Sequence, residues 1–168
     1  VIYNNRLVGR LALTREGLCA FEYSAEWLSS GFSISPFELP LRSGVFIAKP
    51  RPFEGGFGVF DDCLPDGWGL LILDRYLQQK GINPRTLTLL DRLALVGSTG
   101  RGALEFRPDN SVVTRQDFAD FEKLALEAEK ILASDDYMGE GIEEFQDRGG
   151  SPGGARPKIF VRYNDKEW

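Results

Sequence analysis

Histidine is absent from all 168 residues. That removes the commonest general base and the commonest metal ligand together. Cysteine is scarce: Cys19 and Cys63 are the only thiols, both beside apolar residues. Two thiols without histidine cannot complete a four-ligand zinc site unless carboxylates join them. They read as buried reduced thiols, with a disulfide as the alternative. An excess of positive charge is also missing, since 20 Lys+Arg face 25 Asp+Glu for a net charge of −5. Overall charge therefore gives no reason to expect direct nucleic-acid contact. No apolar run reaches the roughly 18 residues of a membrane span. No signal-peptide pattern opens the chain, so a cytoplasmic location without a membrane partner is expected. Repeats and low-complexity tracts are missing too.

Apolar residues make up 42% and aromatics 12%, enough to bury a core in an α+β domain or a domain plus a fragment. The first quarter is strand-rich. Tyr3-Asn4-Asn5-Arg6 predicts a tight hairpin turn into a strand from Leu7 to Leu13, and Leu18 to Tyr23 predicts the next, with Phe21 and Tyr23 on one face. A strand from Val45 to Ala48 follows a proline-punctuated loop. Leu64-Pro65-Asp66-Gly67-Trp68 introduces a helix to about Lys80, stopped by Gly81. Asn83-Pro84 predicts the start of a second helix ending at Gly97. A short strand is expected from Ala103 to Phe106.

Thr114 to Ser134 shows the clearest helical periodicity. Thr114 and Asp117 form a near capping box, and Phe118, Phe121, Leu124, Ala125, Ala128, Ile131 and Leu132 recur at helical spacing. Its outward face is expected to carry Asp117, Asp120, Glu122, Glu127 and Glu129 as a solvated acidic surface. Residues Asp135 to Arg148 read as a connector. Val161 to Trp168 reads as a strand, an Asn-Asp turn and the start of a return strand. Together with an opening already inside a strand-like segment, this suggests a piece of a longer polypeptide.

Gly149-Gly150-Ser151-Pro152-Gly153-Gly154-Ala155-Arg156-Pro157-Lys158 places four glycines within six positions. Arg156 and Lys158 follow, and then the apolar run Ile159-Phe160-Val161. Backbone without Cβ atoms can approach a ligand closely and turn its N–H groups inward, and the cations suit a polyphosphate. The stretch matches neither G-x-x-x-x-G-K-[ST] nor G-x-G-x-x-G. From the residues alone a flexible linker, a phosphate-cradling loop and a tight hairpin remain open. Elsewhere Asp61 and Asp62 suggest either metal binding or charge stabilisation at a helix start. Trp68 suits the core better than a binding platform. Arg101 is an anion contact or an exposed turn cation.

Three segments in order resemble the HipA family. Phe60-Asp61-Asp62-Cys63-Leu64-Pro65-Asp66-Gly67 is similar to its "F-x-N-L-L-P-E-G" segment, with Asp66 in place of the more usual Glu. Leu89-Leu90, Val96-Gly97 and Gly102-Ala103-Leu104-Glu105-Phe106 are similar to its "L-L … G … G-A-L-x-F". Ser151 to Lys158 looks like its glycine-rich nucleotide loop. The resemblance covers the whole chain and implies the N-terminal portion of a Ser/Thr protein kinase, the toxin of a toxin–antitoxin module.

The fold implied is a strand-rich subdomain with packed helices over residues 1–134. Residues 135–168 would then hold a connector, the first strands and the glycine-rich loop of a protein-kinase-like core. Nucleotide contact is implied at Gly150, Ser151, Gly153, Gly154, Ala155, Arg156 and Lys158. Ser151 matches the family's autophosphorylation site, with an ordinary loop serine as the alternative. A phosphate there would place negative charge where nucleotide phosphates must sit. Pro152, directly after Ser151, removes one N–H donor and biases Ser151 away from helical geometry.

ATP and Mg²⁺ are the implied substrate and ion. The strand lysine, catalytic aspartate and Mg²⁺ ligands lie in the family beyond the position of Trp168, so this chain alone is expected to be inactive and to hold no catalytic or metal residues. The implied partners are a protein substrate, which in the family can be an aminoacyl-tRNA synthetase, and a DNA-binding antitoxin. The alternative is a non-catalytic interaction or antitoxin-like module made of the N-terminal subdomain alone.

Overall fold

The computed structural model describes residues 1–100, 102–111, 120–134, 137–139, 141–149 and 153–159. The chain divides into two compact units, Val1–Leu64 with Leu87–Ser111, and Pro65–Thr86 with Val112–Trp168. The class is α+β, with two small antiparallel sheets and several helices.

The first unit holds both sheets. Strand β1 (Ile2–Tyr3) pairs with β2 (Arg6–Leu7) and with β6 (Leu104–Glu105), while β3 (Gly9–Leu13), β4 (Cys19–Tyr23) and β5 (Val45–Ile47) form the second sheet in that order. The expected Asn4-Asn5 turn closes β1 on β2, with φ of 47° and 59°. Asparagine tolerates that left-handed geometry, which a tight hairpin needs. The expected strand from Leu7 to Leu13 is divided at Val8. Its N–H donates to the Val1 carbonyl at 3.0 Å and its carbonyl accepts from the Ser24 N–H at 2.9 Å. Those two bonds hand the chain from one sheet to the other.

The core beneath is aromatic: Phe21, Tyr23, Trp27 and Phe60 are buried with Val8, Cys19, Leu39 and Leu93. Tyr23 keeps its hydroxyl satisfied by donating to the Leu39 carbonyl at 2.6 Å and accepting the Ile34 N–H at 3.1 Å. A helix missing from the sequence reading, α1 (Ala25–Ser30), is capped by Ser24, whose hydroxyl accepts the Trp27 N–H at 3.1 Å. Helix α2 (Gly58–Asp61) is short. The helix expected from Asn83-Pro84 starts later: Pro84–Thr86 is a 3-10 turn, and α4 (Leu89–Val96) begins under a reciprocal Thr88–Asp91 capping box. Two donors satisfied at once outweigh the proline signal.

Among the described residues, the regular structure of the second unit is helical. Helix α3 (Gly67–Gln79) packs with α5 (Phe121–Ala133) and α6 (Gly141–Gly149) through Trp68, Ile72, Leu124, Ala128, Ile131, Ile142 and Phe145. Trp68 meets Phe145 edge-on, centroids 5.2 Å apart. The cap of α5 is Asp120, which accepts the Lys123 N–H at 3.0 Å; the expected Thr114–Asp117 box lies outside the described residues.

Three expectations here are corrected. The connector expected over Asp135 to Arg148 contains α6, because Ile142 and Phe145, one turn apart, both bury against α3 and α5. Glu127, expected on the solvated face, is half-buried and accepts from Lys130 at 2.6 Å and from the Tyr137 hydroxyl at 2.5 Å. Those bonds hold its carboxyl below the usual carboxylate range. Conversely Phe121, Ala125 and Leu132, expected inside, are exposed. The strand expected at Ile159-Phe160-Val161 lies, after Ile159, outside the described residues.

Arg75 is buried in α3, and its guanidinium donates to the carbonyls of Ile131 at 2.7 Å and Ser134 at 2.9 Å. A neighbouring helix thereby satisfies carbonyls that the end of α5 leaves without intrahelical donors. Replacing Arg75 by Met is expected to destabilise the second unit by about 2–3 kcal/mol, because it strips buried acceptors of their donors. Hydrogen exchange across α3 and α5 in a urea series measures the loss.

Candidate nucleotide loop

Gly153 and Gly154 both take positive φ, 75° and 86°, a region that L side chains rarely enter. Successive residues of that kind turn the main chain tightly. Gly154 is then held on both its polar groups by the start of α3. Its N–H donates to Asp66 Oδ1 at 3.1 Å, and its carbonyl accepts the Trp68 N–H at 2.9 Å. Lys158 folds back, its Nζ donating to the Gly153 carbonyl at 2.6 Å. Ala155 and Arg156 are exposed, and Ile159 packs against the helical core.

Between these partners stands Gly67, the first residue of α3, at φ 45°. A Cβ there would lie 2.6 Å from the Gly154 carbonyl carbon and oxygen and 2.9 Å from the Ala155 nitrogen. All three are main-chain atoms, which cannot rotate aside as a side-chain tip could. Five of the seven candidate nucleotide-contact residues, Gly153, Gly154, Ala155, Arg156 and Lys158, thus fall in one short described segment. Gly150 and Ser151 lie outside the described residues. Asp66 and Gly67 escaped the sequence reading as loop partners. The only trace in the sequence was an acid-glycine pair at a helix start.

The other candidates separate cleanly. Trp68 is core, as expected. Asp61 and Asp62 are not at a helix start: Asp61 ends α2 and Asp62 caps its C-terminus, whereas α3 begins only at Gly67. Pro65 and the positive φ of Gly67 delay that start. Burial, with Asp62 and Glu54 adding negative charge nearby, raises the Asp61 carboxyl above its usual range. Among the described residues no group of three or more Cys, Asp or Glu could hold a metal ion. Cys19 and Cys63 are buried free thiols, and burial pushes Cys19 up to about 11, which keeps it neutral and inert. Arg101 lies outside the described residues.

The family model of the HipA N-terminal domain matches residues 1–107. The chain belongs to the HipA family. That family is associated with toxin–antitoxin systems. No curated protein matches the chain. The matched span contains Asp66 and Gly67 and ends ahead of Gly153. No helix among the described residues is long and apolar enough to cross a membrane.

The second HipA-like segment has a structural task. Gly97, at φ 52°, turns the chain out of α4, and its carbonyl accepts the Phe106 N–H at 3.0 Å. A Cβ on Gly97 would strike the Asp109 carboxylate. That carboxylate accepts from the Ser98 N–H at 3.2 Å, the Ser111 N–H at 3.0 Å and the Ser111 hydroxyl at 2.6 Å. Burial works to raise the Asp109 carboxyl, but these bonds, with Arg107 3.8 Å away, hold it down at about 2.

A folded-state value below the unfolded one means stability that is complete above the unfolded value of about 3.9 and is lost as pH falls from there through the folded value of about 2. The first unit is therefore expected to lose about 1 kcal/mol between pH 4 and pH 2 through Asp109, after allowance for solvent screening. Asp109→Asn should flatten that part of a stability-versus-pH curve measured by urea unfolding.

Proposed function

We propose that this HipA-family chain supplies the N-terminal subdomain and nucleotide loop of a Ser/Thr protein kinase, which transfers the γ-phosphoryl of ATP to a protein serine or threonine. Membership of the family carries the reading. The loop supports it, because two left-handed glycines, two nearby cations and a fixed base are what a phosphate cradle requires. Phosphoryl transfer is mostly positioning and charge stabilisation, so a rigidly held loop is a substantial part of the machinery.

In this reading Gly153 to Lys158 closes over the nucleotide phosphates, with Arg156 free to swing onto them from its exposed position. Lys158 exchanges the Gly153 carbonyl for a phosphate oxygen. In this reading the Mg²⁺ ligands, the phosphate-contacting strand lysine and the catalytic aspartate are supplied by the kinase-like core. Ser151 is the regulatory autophosphorylation site, where a dianion would repel the nucleotide and pair with Arg156 or Lys158 instead. A DNA-binding antitoxin is the partner.

Incubation of the full-length protein with ATP and Mg²⁺, read by intact mass, tests both parts. Wild type is expected to gain phosphate and Ser151→Ala to gain less. Equal uptake by the two removes the Ser151 role, and a full-length protein that neither binds ATP in a titration nor takes up phosphate overturns the kinase reading.

A further inference from the structure

Asp66 occupies the N-cap of α3, and its side chain makes no capping hydrogen bond there. An N-cap aspartate ordinarily accepts an N–H from the first turn. Here Oδ1 accepts the N–H of Gly154, 88 residues further along the chain. The neighbouring helix donor points the same way, since the Trp68 N–H goes to the Gly154 carbonyl. Gly67 contributes what a side chain would deny, contact between its own backbone and that of Gly154 and Ala155. Trp68, packed edge-on against Phe145, makes this helix start a rigid base.

We propose that Asp66 and Gly67 are positioning residues for the nucleotide loop. They anchor Gly154 at the start of α3 so that the loop is already shaped before ATP arrives. The inference rests on the kinase reading and adds to it which residues set the loop. An unanchored stretch with four glycines in six positions would sample many conformations, and ordering them on binding would weaken affinity. The anchor removes that loss at one residue by occupying both of its backbone polar groups. Because Asp66 touches the loop and not the phosphates, its loss should raise the ATP KM while leaving kcat nearly unchanged. A glutamate, one methylene longer, still presents an acceptor to the same N–H.

The test uses the full-length protein as wild type, Asp66→Ala and Asp66→Glu, with ATP titration, steady-state kinetics and hydrogen exchange of the loop without nucleotide. Asp66 is exposed, so the variants are expected to keep the wild-type melting temperature. Asp66→Ala should exchange faster at Gly154 and bind ATP about tenfold more weakly, the loss of one charge-assisted hydrogen bond at an exposed site. Asp66→Glu should recover most of both.

Wild-type protein that binds no ATP overturns the kinase reading and this inference with it. Wild type that binds ATP while Asp66→Ala binds equally well overturns the inference alone, as does an Asp66→Ala protein that loses kcat and KM together without rescue by Asp66→Glu. Gly67→Ala serves as a second probe. Equal affinity in that variant, with the fold retained, would likewise overturn the role given to the bare backbone.

Discussion

Where the glycine-rich segment reaches the start of α3, two backbones lie closer than any side chain on position 67 would permit, and the placement of that segment depends on the approach. Gly67 opens the helix at positive φ, Trp68 sends its N–H outward to the loop and its indole inward to the core, and Asp66 completes the pair of hydrogen bonds. One helix terminus thereby links a packed interior to a segment that composition alone would make mobile. Four N–H groups at a helix start have no partner within the helix; here one finds its partner in the loop, so the demand of the helix and the order of the loop are met by a single bond.

The sheet unit solves a different problem by similar means. Its strands are short, and short strands stabilise little by pairing alone. The stability lies in the aromatic cluster beneath, where Phe21 and Tyr23 meet edge-on at 4.8 Å and Trp27 and Phe60 are buried beside them. Such contacts add about 0.5–1.5 kcal/mol per pair beyond the area they bury. Gly9 admits this packing, because a Cβ there would strike the Glu22 carbonyl oxygen and lie 2.6 Å from the Phe21 ring. The HipA-like glycines are thus not interchangeable spacers: Gly67 admits a loop, and Gly97 admits the Asp109 carboxylate.

Much of the fold could be read in advance where one local rule governed. The Asn4-Asn5 hairpin, the strand through Phe21 and Tyr23, the start of α3 near Gly67 and its stop near Gly81 follow from turn chemistry and periodicity. The reading failed where two local signals competed or where few residues carried the pattern. Asn83-Pro84 and Thr88–Asp91 both advertise a helix start, and the box with two reciprocal bonds prevailed. In α6 only Ile142 and Phe145 anchor a stretch rich in charge and glycine, too thin a pattern to outweigh its composition. Glu127 turns inward because Tyr137, ten residues on, donates to it.

Within this chain, sequence order alone determined the class of the fold, the family and the residue types of the loop, because hydrophobic period, turn residues and motif spacing are local and need no partner. Tertiary structure alone decided what holds that loop. Asp66 and Gly154 stand 88 residues apart, and no spacing rule connects them. Their bond exists because packing of α3 with α5 and α6 presents the Asp66 carboxylate as an acceptor for the Gly154 N–H, beside a Trp68 N–H that donates to the Gly154 carbonyl.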